Sequence, residues 1–273
     1  MSALAFLPMY DVPGTRSHAD ALWESLRDCI RERGLEAPDQ VDRTLGRHDG
    51  WLHPDLVLGQ TCGLPYMKFL CDDVELVGTP DYGVNGCPPG FYHSSIVVRA
   101  VDTRGKLGDF FGGTLAFNGT DSQSGYAAIM RAVAPMALQG RFFGRALCAG
   151  SHRRAMQLVA DGAADIAAID TVTWRISSSF DPLALKLKSI ETTEPTPGLP
   201  FIAGKGKPAK TLLEAARCAV AALPSDTRNA FGLRDVLPFR RQDYEVIVRN
   251  LAEAEAAHAL PPIEMVSPEG AKT

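Results

Sequence analysis

Short apolar runs of strand character alternate with helix-patterned stretches along most of this 273-residue chain. Ala3–Leu7, Asp55–Gly59, Val74–Val77 and the β-branched Ser94–Arg99 read as strands, followed by Thr114–Phe117, Ala146–Ala149 and Asp165–Ile169. Between them, Leu22, Leu26, Cys29 and Ile30 mark one face of a helix over 18–33, with Ser17 as its cap and Gly34 as its stop. Strands recurring with intervening helices require crossover connections, so the alternation predicts a mostly parallel α/β sheet. The C-terminal third is expected to be helical, over 208–222 and 241–258, with Ile247, Val248 and Leu251 on one side and a tail without regular structure from Pro261.

The length predicts one large or two medium domains. With 45% hydrophobic and 22% charged residues, the chain is neither disordered nor a coiled coil. A formal net charge of -4 argues against a whole-chain attraction to nucleic acid. No apolar run approaches the roughly 20 residues of a membrane span. The N-terminus has no basic segment, and Pro8 interrupts its apolar stretch, so it reads as a first strand rather than a secretion signal. The expected compartment is the cytosol as the sequence is written, and the periplasm if the true start lies upstream. Six scattered cysteines form no Cys-x-x-Cys pair, which argues against a zinc ribbon and for reduced thiols.

The division of the chain is expected near 100 and 190. Residues 1–98 with 191–273 make one discontinuous lobe, and 99–190 make the second. The proline-rich Glu191–Pro200 has no regular helix and would carry the chain back to the first lobe. Periodicity alone leaves a hinged two-lobe clamp and a single continuous sheet both open.

Two turns carry the chemistry. Phe117-Asn118-Gly119-Thr120-Asp121-Ser122-Gln123-Ser124-Gly125-Tyr126 joins a strand to a helix that starts with hydroxyl and amide donors. A helix start leaves backbone N–H groups unpaired, and its dipole favours negative charge, so this turn can hold an oxyanion without a full cation. Cys148-Ala149-Gly150-Ser151-His152 repeats the logic, with Ser151 as the natural N-cap and His152 in the first turn. Plain helix capping is the commoner account of either turn by itself; two donor-rich starts on neighbouring strands change that balance, because they can converge on one cleft. Asp170 ends a strand, where a carboxylate meets either an amine on a ligand or the start of the next helix. Trp174 reads as core or pocket wall. In the first lobe Tyr10, Gln60, Tyr92 and Ser94 are polar groups at strand ends. Enzyme signals are few: there is no Gly-x-Ser-x-Gly and no His-Glu-x-x-His. Cys62 beside Gly63 remains a nucleophile candidate, and Tyr10, Tyr92, His93, His152 and Asp170 a metal candidate without supporting spacing.

At Leu7–Tyr10, Gln60–Gly63, Val77–Pro80, Tyr92–Val98, Asp121–Gly125, Gly150–His152 and Ala163–Asp170 the sequence resembles the phosphate/phosphonate ABC-transporter substrate-binding family, the PhnD-like proteins. The likeness spans roughly residues 4–205. It implies a two-lobed type II periplasmic-binding fold, each lobe a mixed, mostly parallel sheet flanked by helices, with two crossover segments. It implies that Ser122, Gln123, Ser124, Ser151 and His152 hold an oxyanion and that Asp170 can meet an amine on the ligand. The expected protein is a solute-binding protein, not an enzyme, that clamps a phosphate- or phosphonate-like ligand for transport or sensing. It needs no cofactor or metal, and an ABC-transporter permease is its candidate partner. Gln123 and Tyr126 in the donor turn point to a ligand other than a simple alkylphosphonate. The alternative is an enzyme on the same fold, acting in thiamine- or pyrimidine-related chemistry through Cys62 or a metal.

Overall fold

The computed structural model describes residues 3–266. In chain order the strands are β1 (Leu4–Phe6), β2 (Leu56–Gln60), β3 (Val74–Asp81), β4 (Phe91–Tyr92), β5 (Ser94–Arg99), β6 (Thr114–Phe117) and β7 (Arg145–Cys148). They continue with β8 (Ile166–Asp170), β9 (Leu187–Thr192), β10 (Thr196–Pro197), β11 (Phe201–Gly204), β12 (Asp235–Leu237) and β13 (Ile263–Met265). The chain divides into two compact units: one runs to Tyr92 and includes Thr196–Val246, the other is His93–Pro195 with the chain from Ile247. The sequence division at 98 and 190 is displaced because β5 hydrogen-bonds to β8 and β9, both in the second unit. The helix Arg241–Ala257 starts in the first unit and ends in the second, so the last segment does not belong wholly to the first.

The first unit holds a five-stranded sheet in the order β1-β2-β11-β3-β12. β1 runs parallel to β2, while β11 runs antiparallel to both β2 and β3, and β12 antiparallel to β3. The helix Arg16–Glu32 buries Leu22, Trp23, Leu26, Cys29 and Ile30, the spacing of one helical face. That face packs on the helix Ala209–Ala222, whose small Ala215, Ala216 and Ala219 are fully buried and let the two backbones approach. Ser25 Oγ donates to the Ala219 carbonyl at 3.0 Å across this contact. The helix begins at Arg16 rather than after Ser17: Thr15 holds the N-cap position, and its hydroxyl is turned back to the Tyr10 carbonyl at 2.7 Å.

The second unit holds a six-stranded sheet in the order β13-β7-β6-β8-β5-β9. β13, β7, β6 and β8 run parallel; β5 runs antiparallel to β8 and β9. The helix His152–Ala160 packs on β5, β6 and β8, placing Ala155, Met156, Leu158 and Val159 against Val97, Ala116, Leu147, Ala167 and Ile169. Trp174 is half-buried and packs against this cluster. Each valine, leucine, isoleucine or methionine among them contributes about 1.5–3 kcal/mol by leaving water.

Two local expectations are corrected. The region from Pro261 is not without structure: Ile263–Met265 adds a parallel strand to β7, and Arg145 grips Glu264 through two hydrogen bonds of 2.7 and 2.6 Å. The exposed edge of β7 supplies the partner that residues 263–265 lack by themselves; residues 267–273 lie outside the described part. β3 runs four residues beyond Val77, through Pro80, because β12 pairs with its end and a proline is tolerated where its nitrogen faces no ladder partner. Among the described residues no helix is long and apolar enough to cross a membrane.

Candidate functional site

The parallel register of β6 and β7 sets Phe117 beside Cys148, so both strands end together and their two turns leave side by side. After β7, Gly150 adopts φ +78, a conformation that favours glycine, and turns the chain into its helix. Ser151 then caps the helix, its Oγ accepting from the Arg154 N–H at 3.1 Å, and it is exposed. His152, in the first turn, is half-buried.

After β6, Ser122 caps the next helix by accepting the Gly125 N–H at 3.0 Å. The first turn, Gln123–Ala127, is a wide one that continues directly into the helix Ala128–Val133. Glycine at 125 leaves room for Asn118, because a Cβ would lie 1.9 Å from Asn118 Oδ1 and push that side chain away. Ser122, Gln123 and Ser124 are all buried. Ser124 Oγ meets His152 Nε2 at 3.0 Å, and Asn118 Nδ2 lies 3.4 Å from the same nitrogen. The two helix starts are thus joined by direct contact. Ser94, at the start of β5, donates its hydroxyl to the Ser124 carbonyl at 2.9 Å. The side chains that meet are hydroxyl, amide and imidazole groups, and the first turns behind them contribute backbone N–H groups that no helix carbonyl can reach.

Asp170 ends β8 opposite Ser94 and is 2% exposed. Its Oδ1 accepts the Thr173 N–H at 2.9 Å, so it caps the helix Thr171–Phe180 while standing at the same sheet end. Next to it, Ser95 and Thr171 share a hydroxyl contact of 3.1 Å, and burial holds the His93 imidazole below its usual range. Tyr126 leaves the donor set: its hydroxyl donates to Glu255 at 3.1 Å, its ring leans on Phe117, and burial pushes its phenol up to about 12.

The remaining residues singled out in the sequence belong to the first unit. Gln60 is buried and donates to the Tyr82 hydroxyl at 2.9 Å and to the Leu199 carbonyl at 3.3 Å. Tyr10 meets the Tyr82 ring edge-on, with centroids 5.0 Å apart, so these three line one small cavity with Leu7, Asp11 and Phe201. Tyr92 is buried in β4, where it pairs with Thr196 of β10, in a two-stranded ribbon separate from the five-stranded sheet. Cys62 is buried at the start of a short helical turn, where its carbonyl accepts from Tyr66. Among the described residues, His93, His152 and Asp170 do not converge as metal ligands. Sequence reading left out Asn118 and Tyr82. Asn118 was legible as a polar residue at a strand end; Tyr82 was not, since only tertiary packing sets it against Tyr10 and Gln60.

Residues 56–244 match the family described as ABC transporter, phosphonate, periplasmic substrate-binding protein. No curated protein sequence matches the chain. Solved structures share the fold. PhnD1 from Prochlorococcus marinus, in complex with methylphosphonate, is 14% identical with a TM-score of 0.71, covering 92% of this chain and 98% of its own. A Xanthomonas citri protein bound to ATP is 16% identical with a TM-score of 0.64, over 94% of this chain and 99% of its own. The malate-bound MatC of Rhodopseudomonas palustris is 13% identical with a TM-score of 0.62, over 94% and 99%. At these identities the likeness establishes the type II periplasmic-binding fold, while the family match covers more than half of the chain. The chain belongs to the periplasmic substrate-binding proteins of phosphonate ABC transporters.

Proposed function

We propose that the second unit binds a small phosphorus oxyanion, phosphate- or phosphonate-like, at the carboxyl ends of β6 and β7. Ser122, Gln123, Ser124, Ser151 and His152 would hold its oxygens, with the backbone N–H groups of both first turns. The observation that carries this reading is the 3.0 Å contact of Ser124 with His152, which joins two helix starts at one sheet end. Neutral donors at helix starts replace the hydration of an anion without a lysine or arginine. Asp170, buried at the neighbouring strand end, favours a ligand that also carries an amine. The protein is then a carrier that releases its ligand unchanged, and a membrane permease of the ABC class is its partner.

Neighbours of the same fold hold methylphosphonate, malate or ATP, so the ligand is the point to test. Calorimetry with methylphosphonate, an aminoalkylphosphonate, phosphate and malate is expected to give heat with the phosphorus oxyanions. Ser124→Ala and His152→Ala should each weaken that binding by about tenfold or more, equal to about 1.4 kcal/mol. Asp170→Asn should weaken the aminoalkylphosphonate more than methylphosphonate. Heat from malate alone, or phosphonate binding unmoved by the Ser124 and His152 substitutions, would overturn the assignment.

A further inference from the structure

A second group of chemistry-bearing side chains lies in the first unit, on the paired helices Arg16–Glu32 and Ala209–Ala222. Cys29 and Glu32 stand three residues apart on the first helix, so they are neighbours on one face. Cys218 comes from the second helix. The two sulfur atoms and a Glu32 carboxylate oxygen all lie within 4.8 Å of one another. Cys29 is buried, Cys218 half-buried and Glu32 exposed, so the group has a dry floor and an open mouth.

We propose that Cys29, Cys218 and Glu32 form a binding site for a thiophilic divalent cation of the zinc type. A tetrahedral centre with metal–sulfur bonds of about 2.3 Å and metal–oxygen bonds of about 2.0–2.2 Å places its ligand atoms less than about 4 Å apart. The three atoms, now within 4.8 Å of one another, need only close by about 1 Å to reach that spacing. Two thiolates and one carboxylate supply three ligands, and water takes the fourth position at the exposed mouth. Binding displaces the two thiol protons to solvent and forms two metal–sulfur bonds and one metal–oxygen bond, with no change of oxidation state. Arg33, whose guanidinium donates to the Cys29 carbonyl at 2.8 Å, partly offsets the negative charge that remains. The helices do not need the ion in order to meet, because the Ser25–Ala219 hydrogen bond and the buried alanine face already hold them together. A disulfide between the same two cysteines would leave Glu32 without a role; a cation uses all three groups.

Cobalt titration of the full chain, reduced and freed of metal, tests this directly. One equivalent of Co(II) is expected to produce thiolate-to-cobalt charge-transfer absorption with the strong visible bands of a tetrahedral site, both abolished by added Zn(II). Cys218→Ser and Cys29→Ser should each remove the charge-transfer absorption, and Glu32→Gln should weaken the affinity while keeping it. If Cys29→Ser does not fold, as judged by circular dichroism, the half-buried Cys218→Ser carries the test. Methylphosphonate calorimetry on the same variants should be unchanged, because the proposed ligand residues lie in the other unit. No charge-transfer absorption, absorption that persists in Cys218→Ser, or a Cys29–Cys218 disulfide that forms equally fast with and without Zn(II) would overturn the proposal.

Discussion

The two ends of the six-stranded sheet are built from opposite materials. At the amino ends of β6 and β8, charges pair with charges. Arg104 donates to Asp102 at 2.8 and 3.0 Å and to Asp165 at 2.9 Å, and its guanidinium lies 4.0 Å over the Phe110 ring. Arg99 adds hydrogen bonds to the Ala164 and Val159 carbonyls, and Asp165 accepts the Thr114 N–H at 2.9 Å. At the carboxyl ends of the same strands stand Ser94, Asn118, Ser124 and His152, with Asp170 as the one carboxylate of the group. The first end ties β5, β6 and β8 together with charges that neutralise one another. The second offers hydroxyl, amide and imidazole groups at two helix starts that no carboxylate caps, which is what an anion needs. One sheet thus separates the task of holding strands from the task of holding a ligand.

The sharpest way to break this comparison is Gly125→Val. A side chain at this position runs into Asn118, so the variant should lose about 3 kcal/mol of stability and its methylphosphonate binding together, read by thermal melts and calorimetry. Gly108→Ala is the control, since its nearest neighbour is Met136 at an ordinary 3.5 Å, and it should change neither. A full-strength ligand response in Gly125→Val would separate the donor turn from the function.

Asp102→Asn attacks the other end. It should cost about 2 kcal/mol at neutral pH, allowing for the partial exposure of Arg104, and leave methylphosphonate affinity unchanged. The Arg104 guanidinium, bonded to the Asp102 carboxylate, holds its pKa down to about 2, against about 3.9 in an unfolded chain. A lowered pKa means the stabilisation is complete above about pH 4 and fades as the pH falls toward 2. The stability gap between the natural chain and Asp102→Asn should therefore close across that window in acid melts. A gap that persists at pH 2 would mean the charge of Asp102 is not what stabilises this end.

The smallest expected effect comes from Ser151. Ser151→Ala removes the N-cap bond to Arg154 and should cost about 1 kcal/mol. Ser151→Asp restores the cap and so the stability, but places a negative charge beside the proposed anion, so binding should fall further than in Ser151→Ala. Equal binding in the two variants would show that Ser151 only caps.

Legibility in the sequence followed the range of the forces involved. β5 and β6 were readable to the residue, because β-branched or apolar runs bounded by polar turns need no partner to be recognised. The cap at Ser151 was readable for the same reason, since an N-cap bond spans three residues, whereas Ser122 was read as a donor and proved to cap as well. β4, β10, β12 and β13 were not: two or three residues become a strand only when a neighbour supplies the ladder, as Tyr92 does for Thr196 and β7 for Ile263–Met265. Tyr126 shows the same limit at the site, because its hydroxyl goes to Glu255, 129 residues away.

Local pattern, which acts within a turn or a strand, determined that this chain would alternate strands and helices and would begin two helices with serine, glutamine and histidine. Whether those two beginnings meet depended on register. The parallel pairing of Phe117 with Cys148 brings Ser124 to His152, and the glycine at 125 lets Asn118 join them. Contacts between residues about thirty positions apart carry no periodic signal along the chain, so only the folded sheet could decide them.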